Sequence, residues 1–191
     1  MSLAKMILGA FLAAISMFAA SFLLYATPLS QLAYTSADDS PSAAVQTVLA
    51  GHLPATGTYM IPDPGSRLGS IAYAKGPIAV VQYNAGGFPV SDTRVLIGGF
   101  IHQFIICFIL GWALMGIDRR VPDFVSRLKT VLLFALAGSG FAHLGDPIWD
   151  HTDWPYAVYH FFADAVLLTL AGSILARWFL PVSAEMGLKP A

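Results

Sequence analysis

Charge is scarce in this chain. Lysine and arginine supply 10 of its 191 residues and aspartate and glutamate 11, so 11% of positions are charged, where a soluble domain carries about a quarter. With 57% hydrophobic residues and a mean hydropathy of +0.68, the composition is that of an integral membrane protein. An excess of either sign is also missing. The net charge of −1 and pI near 6.5 leave no basic stripe for a polyanion, which excludes nucleic acid as a partner. Cysteine is nearly absent. Lone Cys107 lies inside an apolar run, which rules out an intramolecular disulfide, a CxxC redox pair and a thiolate zinc site; its expected role is that of a small packing residue. No phosphate-cradling glycine loop, dinucleotide fingerprint or nucleophile with a recognisable base is visible. Whether anything is turned over stays open at this level.

Long apolar runs fill the space that charge vacates. Four of them approach the ~20 residues a helix needs to cross the hydrocarbon core. The first runs from about Lys5 to Ala26 and the second from Val95 to Met115. The third has a short core, Val131 to Leu144, extended by Phe124, Val125 and Leu128, with Arg127 and Lys129 expected to snorkel towards headgroups. The fourth runs from about Pro155 to Leu180, opening with Trp154 and Tyr156 and closing with Arg177 and Trp178 as interfacial anchors. The first run is longer than the usual signal-peptide core of ~7 to 15 residues, so it reads as a retained anchor, although Leu24-Tyr25-Ala26 loosely resembles a cleavage site. The expected fold is membrane all-α, a four-transmembrane-helix bundle forming a single membrane domain over 1–191.

Orientation follows from the basic residues. Arg119, Arg120, Arg127 and Lys129 cluster between spans two and three, which by the positive-inside rule places that loop, and with it both termini, in the cytoplasm. Segment 27–94 and the acidic loop Asp146 to Trp154 then face outside, which in a bacterium is the periplasm. Within 27–94, Asp38-Asp39-Ser40-Pro41 reads as the capped start of a short helix over Ser42 to Leu49. Gly57 to Pro62 and Ser70 to Tyr83 read as strands, the second broken by a turn at Lys75-Gly76-Pro77. The result is a small α+β cap inserted between helices 1 and 2. At roughly 60 residues it is marginal alone, so it is expected to lean on the bundle and roof its outer ends. His52 belongs to this cap and reads as a solvated histidine.

The candidate site lies under that roof. With a rise of ~1.5 Å per residue, His102 falls about 10 Å below the outer boundary, and His160 and Asp164 about 7 and 13 Å. His143 sits in the last turn of span three. Ionisable groups in hydrocarbon need a partner, water or a ligand. His160 and Asp164 are four apart and share a helix face, and His143 and Asp146 are three apart. Five residues, His102, His143, Asp146, His160 and Asp164, therefore form a candidate donor set for a transition metal ion (Zn, Cu, Fe or Mn) or a small polar ligand, with Gln103 beside His102. A haem between His102 and His160 is a variant without an attachment motif or clear propionate partners. In a rival reading the groups only satisfy one another as interhelical hydrogen bonds, and the chain is an accessory or scaffold subunit with membrane-protein partners or further copies of itself. A third, a proton or solute path, lacks matching ionisable groups in the inner half of any span. Asp150 and His151 in the outer loop are candidates to extend the site towards the cap. Gly98, Gly99, Gly138 and Gly140 read as close-packing positions between helices.

The order of features resembles a known plan. A retained first span, Gly57-Thr58-Tyr59-Met60-Ile61-Pro62, Lys75-Gly76-Pro77, a histidine closing span three and an aspartate inside span four resemble uncharacterised bacterial four-span integral membrane proteins. The resemblance implies the fold plan and a bacterial inner membrane, and it implies no activity.

Overall fold

A computed structural model describes residues 2–180. Four of its helices are long and apolar enough to cross a membrane, and their ends match the expected spans to within two residues: α1 over Leu3–Tyr25, α4 over Thr93–Ile117, α5 over Phe124–His143 and α7 over Trp154–Ile174, the last continuing as a π-helical turn over Leu175–Phe179. Each begins on a side-chain cap. Ser2, Asp92, Asp123 and Asp153 accept hydrogen bonds from the first-turn N–H groups of Lys5, Arg94, Ser126 and Tyr156, satisfying donors that a helix start otherwise leaves orphaned. At Asp123, hydrogen bonds from Ser126 hold the carboxyl below its ordinary value of 3.8.

Small residues decide how closely the helices pack. The buried stripe of α1, Gly9, Ala10, Ala13, Ala14 and Met17, recurs at helical spacing, and it packs on α4 and α7. The most extensive contact joins α5 to α7, burying Val131, Ala135 and Ser139 on α5 and Leu167, Ala171 and Gly172 on α7, with Val131 seated against Gly172. Outward faces are apolar and exposed, as at Phe11, Ile105, Leu133 and Phe162, an arrangement suited to lipid rather than water. Contacts therefore run α4 to α1 to α7 to α5, while α4 and α5 make no comparable contact with each other. The four helices do not close into a bundle: a groove stays open between α4 and α5.

Three sequence expectations change here. Arg127 does not snorkel: it is 1% exposed, its Nε–H donates to the Val121 carbonyl at 2.8 Å and its Nη1–H reaches the Ala176 carbonyl at 3.5 Å. Lys129, two residues on, is exposed as expected. Gly98 and Gly138 are not close-packing positions, since a Cβ at either would meet nothing within 4 Å. The close-packing glycines are Gly172, where a Cβ would overlap the Val131 side chain, and Gly9, where it would lie 2.7 Å from Phe179.

The third change concerns the cap. A short 3-10 turn, Pro28–Leu32, follows α1, and then come α2 over Asp39–His52, β1 over Gly57–Ile61, α3 over Arg67–Lys75 and β2 over Ala79–Tyr83. β1 and β2 pair antiparallel, Gly57 opposite Tyr83 and Ile61 opposite Ala79. The first half of the predicted second strand is helix α3. Ser66 accepts from the Gly69 N–H at 2.9 Å to start it, and Gly76 ends it with φ +68°, a conformation that favours glycine. Ile71 and Tyr73 alternate like a strand, but Leu68, Ile71 and Lys75 also recur at helical spacing, and the caps on either side decide for helix. Among the residues from Asp39 to Tyr83 only Gly69 is buried. The body of the cap meets the outer loop between the short helix α6 (Asp146–Trp149) and α7, where Tyr73 and His151 have ring centroids 6.2 Å apart. His151 there has φ +56°. The roof is instead the Pro28–Tyr34 segment, which packs on α1 and α7.

Candidate functional site

One face of α7 organises the site. Tyr156, His160 and Asp164 follow one another at intervals of four residues, which stacks them on one side of the helix. Against this face α1 brings its last residue, Tyr25, and α5 its last, His143. Asp164 hydrogen-bonds with both. The Tyr25 hydroxyl donates to Oδ1 at 2.8 Å, and His143 Nε2 lies 2.7 Å from Oδ2. A carboxylate only accepts, so with Asp164 in that form the pair uses the His143 tautomer that carries its proton on Nε2. A single carboxylate thus links three membrane helices, and its side chain remains 38% exposed towards the groove.

His160 sits one turn further out in an aromatic box. Tyr25 stacks on it at 5.3 Å between ring centroids, Tyr156 lies at 4.2 Å, Tyr159 at 5.9 Å and Tyr34, from the roof, at 6.1 Å. The Tyr34 hydroxyl is 3.5 Å from His160 Nε2, at the long limit of a hydrogen bond. His143 approaches the same ring at 5.5 Å. Tyr159 donates to the Leu24 carbonyl at 2.6 Å, fixing the end of α1 on α7.

The five sequence-predicted residues separate into groups. His143, His160 and Asp164 come together. His102 lies on the opposite wall of the groove, exposed, yet it lines the same cavity as His160 and Asp164. Asp146 opens α6 without a side-chain cap bond and is not part of the cavity lining. Among the described residues no three histidine, cysteine or acidic side chains meet in a metal-holding group. Asp150 and His151 line a separate hollow of about 230 Å³ beneath the hairpin, with Tyr73 and Thr152. The tyrosines were missed by sequence reasoning. Tyr156 carried a signal, being four residues before His160, but Tyr25 and Tyr34 reach the site only through the chain reversal after α1.

The cavity between α4 and α5 has a volume of about 750 Å³, within the ~300–1,000 Å³ usual for small-molecule sites. Its deep wall carries Gln103 and Ser139. The Gln103 amide donates to Ser21 Oγ at 2.9 Å, whereas Gln103 Oε1 and Ser139 Oγ are buried without a hydrogen-bond partner among the described residues. Four spans with apolar, exposed outward faces define the class: this is a multi-pass membrane protein. No protein-family model, curated protein or solved structure matches the chain.

Proposed function

We propose that this is a ligand-binding protein of the bacterial inner membrane, and that His160, Asp164 and His102 hold the polar part of a small ligand at the outer end of the groove. The observation that carries this reading is that these three residues, picked out by sequence for their depth, line one cavity. Asp164 has acceptor capacity beyond its two bonds, and His160 has no short hydrogen bond to its ring nitrogens. A polar group entering the groove would satisfy both.

A second reading has its own support. The bonds from Tyr25 and His143 to Asp164 are the interhelical contacts expected of a purely structural cluster in a scaffold subunit. Two substitutions separate the readings. His160→Phe keeps a ring in the aromatic box but removes the nitrogens, so mass spectrometry of the purified protein should show loss of a co-purifying ligand with the melting temperature little changed. Asp164→Leu removes the shared partner and should cost about 1–3 kcal/mol of stability, the range for leaving a polar group without its hydrogen bond. Elemental analysis of the same wild-type sample reads the metal alternative, and stoichiometric metal lost in His160→Phe would move the assignment to a metal site. A wild-type protein that carries neither ligand nor metal would leave only the scaffold reading.

Arg119, Arg120 and Lys129 support a cytoplasmic α4–α5 loop and a periplasmic segment 27–92. In a Cys107→Ala background, Ser36→Cys should react with a membrane-impermeant maleimide in spheroplasts and Arg120→Cys only after lysis. The reverse pattern would invert the topology.

A further inference from the structure

The groove extends well beyond the polar cluster. From its outer end at Tyr25 and Val95 it descends along α4 to Ile106 and along α7 to Leu168, a depth of roughly 16 Å at the helical rise per residue. Phe18, Phe22, Leu96, Ile106, Leu167 and Leu168 give it an apolar surface. Because α4 and α5 do not pack on each other, it opens sideways towards the hydrocarbon. Gly138 leaves its α5 wall empty, a Cβ there meeting nothing within 4 Å.

Two polar atoms in this apolar setting have no partner among the described residues. Ser139 is 2% exposed, and its Oγ is unbonded; Gln103 Oε1 is buried and unbonded on the facing helix. An unmet buried polar group is costly, and a ligand hydroxyl or carbonyl at this level would offset that cost. Charge narrows the class further. Among the described residues no lysine or arginine lines the groove, and the one carboxyl group facing it is that of Asp164, so an anionic headgroup would find no cationic partner there.

We propose that the groove between α4 and α5 binds a membrane lipid with a long apolar chain and a small uncharged head bearing a hydroxyl or carbonyl, the chemistry of prenols and quinones. The head hydrogen-bonds among Gln103, Ser139 and the His160–Asp164 face while the chain follows the apolar floor and leaves between the two helices. This rests on the reading of the groove as a ligand site and specifies what that ligand is.

The test uses the full chain in phosphatidylcholine nanodiscs, with farnesol and farnesyl phosphate as probes that share a tail and differ in head charge. Wild type should bind farnesol saturably, and farnesyl phosphate about ten-fold more weakly or worse. Gly138→Leu sets its Cβ in open space and extends an apolar side chain into the groove, so it should weaken farnesol by about ten-fold or more at unchanged melting temperature; Ser139→Ala, which keeps the shape, should weaken it a few-fold. Equal farnesol affinity in wild type and Gly138→Leu, or preference for the phosphate, overturns the proposal. Should a co-purifying ligand be lost in His160→Phe but kept in Gly138→Leu, the site holds a tail-less polar molecule, and the lipid assignment alone fails. Retention in both removes the ligand site itself. A wild-type dimer that binds no farnesol and is dissolved by Gly138→Leu would give the groove to a helix of a second copy.

Discussion

Arg127→Ala should be among the most damaging single substitutions in this protein, lowering stability by about 3 kcal/mol or more. The side chain is 1% exposed and is the largest fully buried one described, so truncation opens a cavity on the scale of a large core residue, itself worth about 3 kcal/mol. Its hydrogen bonds matter as much. The guanidinium joins the Val121 carbonyl, in the loop between α4 and α5, to the Ala176 carbonyl in the last turn of the α7 extension, where a cation also meets the negative end of the helix dipole. Removing it leaves buried acceptors unmet. Arg127→Met restores most of the volume and none of the donors, so it should fall between wild type and Arg127→Ala. Thermal unfolding in detergent measures all three; Arg127→Met as stable as wild type would reduce the role of Arg127 to filling space.

Gly172→Ala should be destabilising even though alanine is the better helix former by about 1 kcal/mol. A Cβ at 172 would overlap the Val131 side chain, and the backbone of α7 cannot withdraw without loosening the α5–α7 contact that also carries the His143–Asp164 bond. Overpacking of this kind costs about 1–3 kcal/mol. Val131→Ala in the Gly172→Ala background should recover much of the loss, because it removes the methyl groups that collide; a double-mutant cycle with no coupling between the two positions would show that they do not compete for the same space. Loss of the α5–α7 contact should reach the site, so Gly172→Ala is also expected to weaken ligand retention at the outer end.

The membrane helices were legible because length, apolarity and capping residues act locally. Asp92 and Asp123 mark helix starts in any context that lets the helix form, and the spacing of His160 and Asp164 places them on one face regardless of neighbours. Helix α3 was less legible, since Ser70 to Tyr83 satisfies both a strand and a helix period at some positions, and the deciding cap at Ser66 lies outside that stretch. Arg127 was misplaced for a related reason. Near a span end a long cation is expected to reach for headgroups, and only the approach of Ala176 from α7 supplies the buried acceptor that holds it inside.

The chain by itself determined that four segments enter a bilayer and which ionisable groups go with them, because transfer of a segment into hydrocarbon depends on its own composition. Partners were decided elsewhere. Which tyrosines surround His160, and that His143 bonds Asp164 while Asp146 stays apart, depend on distances between helices far apart in sequence. The open groove is the clearest case. No single segment encodes a gap, which arises because small residues bring α1 close to α4 and α7, and α5 close to α7, while nothing brings α4 to α5.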